Sequence, residues 1–228
     1  MASAANGPIT ALVFDMDGLM LDTEPIYRAS WQAAAAELGW EITDHGYERF
    51  LGRRTEDAER ELAEWFGPTF PIARFHERWP VHWHEMAGRG LAQKPGLTAV
   101  LDFAERRRLA LAVATSTERT LALQTLGYGG LTGRFSVMVT GDEIAHGKPA
   151  PDIYLEAARR LGTAPGACVA LEDSDAGTVS ASRAGMTALT VPDLKAPSAE
   201  AQAAAYRVLR SLDEAPAVIG DLLAGRRD

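Results

Sequence analysis

The chain has 228 residues, 46% of them hydrophobic, and a formal net charge of −8. It is long enough for one large domain or a domain with a smaller insert, and no apolar run is long enough to cross a bilayer. The acidic balance excludes broad electrostatic binding to a nucleic acid polymer or to anionic lipid, while a few placed cations and a metal can still hold a small anion.

Residues 9–14 are short, apolar and without alternation, which reads as a strand buried on both faces; Asp15-Met16-Asp17-Gly18 follows directly. Residues 22–94 then contain no convincing strand. All five tryptophans lie there, and Leu51, Ala58, Leu62, Trp65 and Phe66 recur at helical spacing. This stretch reads as a helical insert between the first and second core strands, and its place just after the first strand makes it a candidate lid.

From residue 95 onward strands and helices alternate. A helix over 97–107 follows Pro95-Gly96, and a strand over 109–114 follows it. A helix over 118–126 can be capped by Ser116 or Thr117, and a short strand covers 137–139. Pro151 opens a helix over 153–161 that stops at Gly162. The strand at 167–171 holds the only cysteine, Cys168, as a buried structural thiol, so no internal disulfide is possible and a reducing, cytoplasmic location is expected. A helix over 176–184, a strand over 186–191 and a last strand over 206–209 complete the series. The alanine-rich stretch 196–205 has weak periodicity. Repeated strand–helix–strand units predict a doubly wound α/β core with a parallel sheet.

Ligands of open parallel sheets bind beyond the carboxyl ends of the strands. Four strand ends here deliver Asp15 and Asp17, Thr115 and Ser116, Lys148, and Glu172 and Asp173 to one edge. Four neighbouring carboxylates repel one another unless a cation stands among them, and an all-oxygen set suits magnesium. A lysine opposite a metal with a hydroxyl between them cradles a phosphoryl group. Asp15, rigid at the strand end, is placed to attack phosphorus, and Asp17 to act as general acid and then general base. A lone Asp-x-Asp-Gly is as readily a turn or a calcium loop; the preceding strand and the three other strand ends change that balance.

Together these segments resemble the haloacid dehalogenase superfamily of phosphatases. The first motif runs from Phe14 through Asp15-Met16-Asp17-Gly18 to Glu24, the second is Ala114-Thr115-Ser116, the third Gly147-Lys148-Pro149 to Tyr154, and the fourth Leu171-Glu172-Asp173-Ser174 with Gly177 and Gly185 behind it. The resemblance spans residues 9–191. It implies a Rossmann-like core over 1–21 and 95–228, an α-helical cap over 22–94, and a phosphoaspartate intermediate on Asp15 with acid–base work by Asp17. Thr115 and Lys148 would orient and neutralise the phosphate. Mg2+ would be bound by Asp15, the backbone carbonyl of Asp17 and Asp173, with Glu172 close by.

The most similar subgroup holds β-phosphoglucomutases as well as sugar and nucleotide phosphatases. Where the mutases carry a histidine, a lysine and an arginine, this chain has Tyr27, Leu51 and Thr55. The expected activity is therefore hydrolysis of a small phosphate monoester of the sugar phosphate, phosphoglycolate or nucleoside monophosphate class. A phosphomutase is the alternative, and a non-catalytic phosphate-binding module a third. Ser116, Arg53 and Arg54 are candidate substrate contacts, the two arginines equally readable as a solvated pair. The family is often monomeric, but nothing in the sequence fixes the oligomeric state.

Three other signals carry less weight. His76, His82 and His84 do not share one helical face, which argues against zinc. Gly147-Lys148 lacks the upstream glycine and the following hydroxyl of a P-loop. Ser180 and Ser182 lie in a helical stretch without an elbow motif.

Overall fold

The computed structural model describes residues 8–50 and 55–225. Ala11–Phe14 forms β1, with every side chain buried, and it lies at the centre of a six-stranded parallel sheet. The chain divides into two compact units, one made of residues up to Leu21 and from Gln93 onward, the other of Asp22–Ala92.

The second unit is helical among its described residues: α1 (Glu24–Glu37), α2 (Asp44–Tyr47), α3 (Thr55–Phe66) and α4 (Ile72–Ala87). Pro25 stands in the first turn of α1, where its missing N–H costs nothing, and the Thr43 hydroxyl caps α2 by accepting from Gly46 N at 3.0 Å. The aromatic residues explain the packing. Trp31 on α1 meets Phe75 and Trp79 on α4 at 5.2 and 6.3 Å between ring centroids, and Tyr27 meets Trp83 at 5.6 Å. Glu59 is buried among them, accepting from Trp79 Nε1 at 2.6 Å and bonded to His76 Nδ1 at 2.9 Å. His82 bonds to Glu37 instead, so these two histidines serve different carboxylates.

The first unit continues with α5 (Leu97–Arg107), β2 (Ala110–Ala114), α6 (Arg119–Tyr128), β3 (Val137–Val139), α7 (Asp152–Leu161), β4 (Cys168–Glu172), α8 (Asp175–Arg183), β5 (Thr187–Thr190), α9 (Ala199–Ala204), β6 (Arg207–Val208) and α10 (Ala215–Leu223). The strand order is β3-β2-β1-β4-β5-β6, all parallel. The order reverses at β1, so its carboxyl end is the topological switch point. On one face Ala11, Val13, Ala112, Ala114, Cys168 and Ala170 present small side chains. They let Ile153, Tyr154 and Ala157 of α7 and Ala181 of α8 approach closely; truncating Ile153 to alanine there would cost about 2–5 kcal/mol.

Most elements match their sequence expectation to within a residue or two at each end. Three differences stand out. β4 runs one residue further than expected, which makes Glu172 the last strand residue. The alanine-rich stretch holds a short helix, α9, because the Ser198 hydroxyl accepts from Ala201 N at 3.2 Å and starts it. The terminal helix α10 has no counterpart among the sequence expectations, although Pro216 in its first turn and Gly225 just past its end mark its bounds.

Candidate active site

Backbone pairing carries the sheet one step past β1 and β2. Asp15 N donates to Leu171 O at 3.0 Å, and Thr115 N donates to Val139 O at 3.1 Å, so both residues start from fixed main-chain positions. The chain then turns at Gly18, with φ of +79°, and a Cβ there would strike the Asp173 carboxylate. Only glycine satisfies both the turn and the close approach. On the neighbouring strand end, the Ser174 hydroxyl caps α8 by accepting from Gly177 N at 3.1 Å, and a Cβ on Gly177 would collide with the Glu172 carboxylate.

Lys148 sits at the centre. Its ammonium donates to Asp15 Oδ1 at 2.5 Å, Glu172 Oε1 at 2.6 Å and Ala114 O at 3.1 Å, three acceptors for three N–H groups. Glu172 is fully buried and saturated: Oε1 also accepts from the Tyr154 hydroxyl at 2.5 Å, and Oε2 accepts from Ser174 Oγ at 3.1 Å and Asp173 N at 3.2 Å. Glu172 therefore holds Lys148, and Lys148 holds Asp15.

Asp17 faces a different set. Its Oδ2 accepts from Thr117 Oγ1 at 2.8 Å and from Thr115 Oγ1 at 3.3 Å. The Ser116 side chain is exposed. Asp15, Asp17, Thr115, Lys148, Glu172 and Asp173 thus converge at one edge of the sheet, while Arg53 and Arg54 lie outside the described residues. Reasoning from sequence missed three neighbours. Thr117 directly follows the second motif, Tyr154 closes the third, and Asp193 lies beyond β5, bonded to Lys94 at 2.5 Å. Only Tyr154, as the last residue of the third motif, and Thr117, adjacent to the second, carry a signal in the sequence.

The charges do not balance locally. Burial pushes the Asp15 carboxyl up to about 8; Lys148 pulls it down, and Glu172 and Asp17 push it up again. Asp173 is also raised, first by burial and then by Asp15 and Glu172. Burial works to lower Lys148, but Asp15 and Glu172 more than offset it and keep the ammonium charged. One ammonium thus serves a cluster of four acids. Oxygens of Asp15, Glu172 and Asp173 lie within 4.8 Å of one another, the one such group found among the described residues. An excess of buried carboxylate with convergent oxygens fits a hard metal cation.

Comparisons with known proteins identify the family. Residues 12–191 match the family model described as haloacid dehalogenase-like hydrolase. The phosphorylated carbohydrates phosphatase of Thermotoga maritima is 34% identical over 77% of this chain and 82% of its own length. The fructose-1-phosphate phosphatase YqaB of Escherichia coli is 33% identical over 79% of this chain and 95% of its own. Among solved structures, a Thermotoga maritima protein provisionally described as a β-phosphoglucomutase superposes with a TM-score of 0.81 at 30% identity, covering 93% of this chain and 99% of that one. With a family match over most of its length and relatives at this level, the chain belongs to the haloacid dehalogenase-like hydrolase family.

Proposed function

We propose that this chain hydrolyses a small sugar phosphate, with Asp15 as the nucleophile and Mg2+ as the cofactor. The coarser statement rests on the family: the chain is a phosphatase of the haloacid dehalogenase-like family, a phosphoric monoester hydrolase. The observation that carries the finer one is the relay from Glu172 through Lys148 to Asp15, with contacts of 2.6 and 2.5 Å.

Asp15, Asp173 and the backbone carbonyl of Asp17 would hold magnesium. When bound, the ion would neutralise phosphoryl charge and favour the ionised form of Asp15. The Asp15 carboxylate attacks phosphorus as the bond to the leaving oxygen breaks, and that oxygen takes a proton from Asp17. Asp17, now a carboxylate, removes a proton from water as the water oxygen attacks phosphorus. The bond from phosphorus to Asp15 breaks, inorganic phosphate leaves and Asp15 returns as a carboxylate. The Lys148 charge, held in place by Asp15 and Glu172, offsets phosphoryl charge through both steps, and the Thr115 hydroxyl turns from Asp17 to orient a phosphoryl oxygen.

The helical unit is read as the cap that brings specificity side chains, Arg53 and Arg54 among the candidates. Two curated relatives act on phosphorylated carbohydrates, which supports sugar phosphates ahead of phosphoglycolate and nucleotides. A panel of phosphate monoesters assayed for released phosphate with and without Mg2+ tests the reading. Hexose phosphates should rank highest and turnover should need the metal. Isomerisation of a hexose 1-phosphate without free phosphate would favour a mutase instead.

A further inference from the structure

Nothing in the family comparison assigns a role to Thr117, which directly follows the second motif. Its hydroxyl donates to Asp17 Oδ2 at 2.8 Å, the shorter of two hydroxyl bonds that this oxygen accepts; the other is from Thr115 at 3.3 Å. The two threonines are themselves linked, since Thr117 N donates to Thr115 Oγ1 at 3.1 Å. The loop that carries them is fixed from behind. Gly141 N donates to Thr117 O at 3.2 Å, and a Cβ on Gly141 would strike the Ser116 carbonyl. Thr117 therefore reaches Asp17 from a main chain with little freedom to move.

We propose that Thr117 is a positioning residue for Asp17, holding its carboxyl at the angle needed to deliver a proton to the leaving oxygen. The inference rests on the acid–base role proposed for Asp17. Thr115 is shared between Asp17 and the phosphoryl group in that reaction. When its hydroxyl turns to a phosphoryl oxygen, the bond from Thr117 keeps Asp17 from rotating. Orientation matters here because the proton must arrive as the bond from phosphorus to oxygen breaks. A small angular error in a catalytic group costs rate without costing affinity.

Leaving-group dependence tests this, because a good leaving group departs as an anion and needs no proton. The value of kcat/KM is measured for an alkyl phosphate and for p-nitrophenyl phosphate with the wild type, Asp17→Asn, Thr117→Val, Thr117→Ala and Thr117→Ser. Thr117→Val and Thr117→Ala should lose about 10- to 100-fold on the alkyl ester and less than about threefold on the aryl ester. Thr117→Ser, which keeps the donor, should stay within about threefold of the wild type on both. An equal fall on both esters in the valine and alanine variants would make Thr117 merely structural and overturn the proposal, as would no fall at all. Asp17→Asn separates the two levels of the argument. If it penalises the alkyl ester and the Thr117 variants do not, the positioning role is wrong. If Asp17→Asn itself shows no preference, the acid–base reading of Asp17 is wrong.

Discussion

The Lys148 ammonium stands 2.5 Å from Asp15 Oδ1, joining residues 133 positions apart in the sequence. Both side chains are nearly buried, and on its other side Lys148 meets the fully buried Glu172. The pair thus fixes the proposed nucleophile and neutralises part of the acidic cluster in one contact.

Removing the ammonium should be costly for the fold as well as for activity. Lys148→Met leaves two buried carboxylates without their partner, a change expected to cost about 3–5 kcal/mol. The loss should be larger at pH 9 than at pH 6, because at the lower pH the stranded Asp15 carboxyl can take up a proton instead. Urea melts of the two proteins at the two pH values check this.

A single methyl group tests the packing around Glu172. Gly177→Ala drives a Cβ into a carboxylate that cannot yield, since Lys148, Tyr154 and Ser174 all hold it. The variant should lose about 1–3 kcal/mol of stability and most of its phosphatase activity. Thermal unfolding and an aryl phosphate assay measure both.

Much of this site was legible in the sequence because its parts stand at the ends of apolar runs. The runs before Asp15, Thr115 and Glu172 are strands buried on both faces, and parallel pairing brings their carboxyl ends to one edge. What the sequence could not give is which partner each side chain chooses. Asp17 turns to Thr115 and Thr117, outside the convergent acid group, and Glu172 holds Lys148 as well as lying beside the metal candidates. Such choices depend on side-chain directions set by turns such as Gly18, which spacing does not encode. The Lys94–Asp193 contact was beyond reach for the same reason, with 99 positions separating residues that belong to no motif.

Tyr154→Phe isolates a smaller contribution. The hydroxyl donates to Glu172 Oε1 from within the core, and losing it should cost about 1–3 kcal/mol with the backbone unchanged. Activity should fall less than in the Lys148 variant, because Lys148 still bridges Glu172 and Asp15. A denaturant melt alongside steady-state kinetics separates the two effects.

Metal dependence should follow pH in a defined direction. The Asp15 carboxyl of the metal-free fold is raised from an unfolded value of 3.8 to about 8. Its contribution to stability is therefore full below about pH 4 and is lost as pH rises through about 8. A cation among these carboxylates needs them ionised, so binding releases protons and the stabilisation by Mg2+ should grow from pH 5 to pH 8. Melting temperatures with and without Mg2+ across that range check it. A metal-induced shift that does not change with pH would contradict the charge imbalance at Asp15.

The nucleophile itself can be read chemically. Enzyme quenched in acid during turnover of its best sugar phosphate, then reduced with borohydride, should yield homoserine at position 15, the product of an aspartyl phosphate there. Asp15→Asn should fold as the wild type does, give no homoserine and release no phosphate. Magnesium-dependent turnover surviving in Asp15→Asn, or the reduced residue appearing at another carboxylate, would contradict a phosphoaspartate on Asp15.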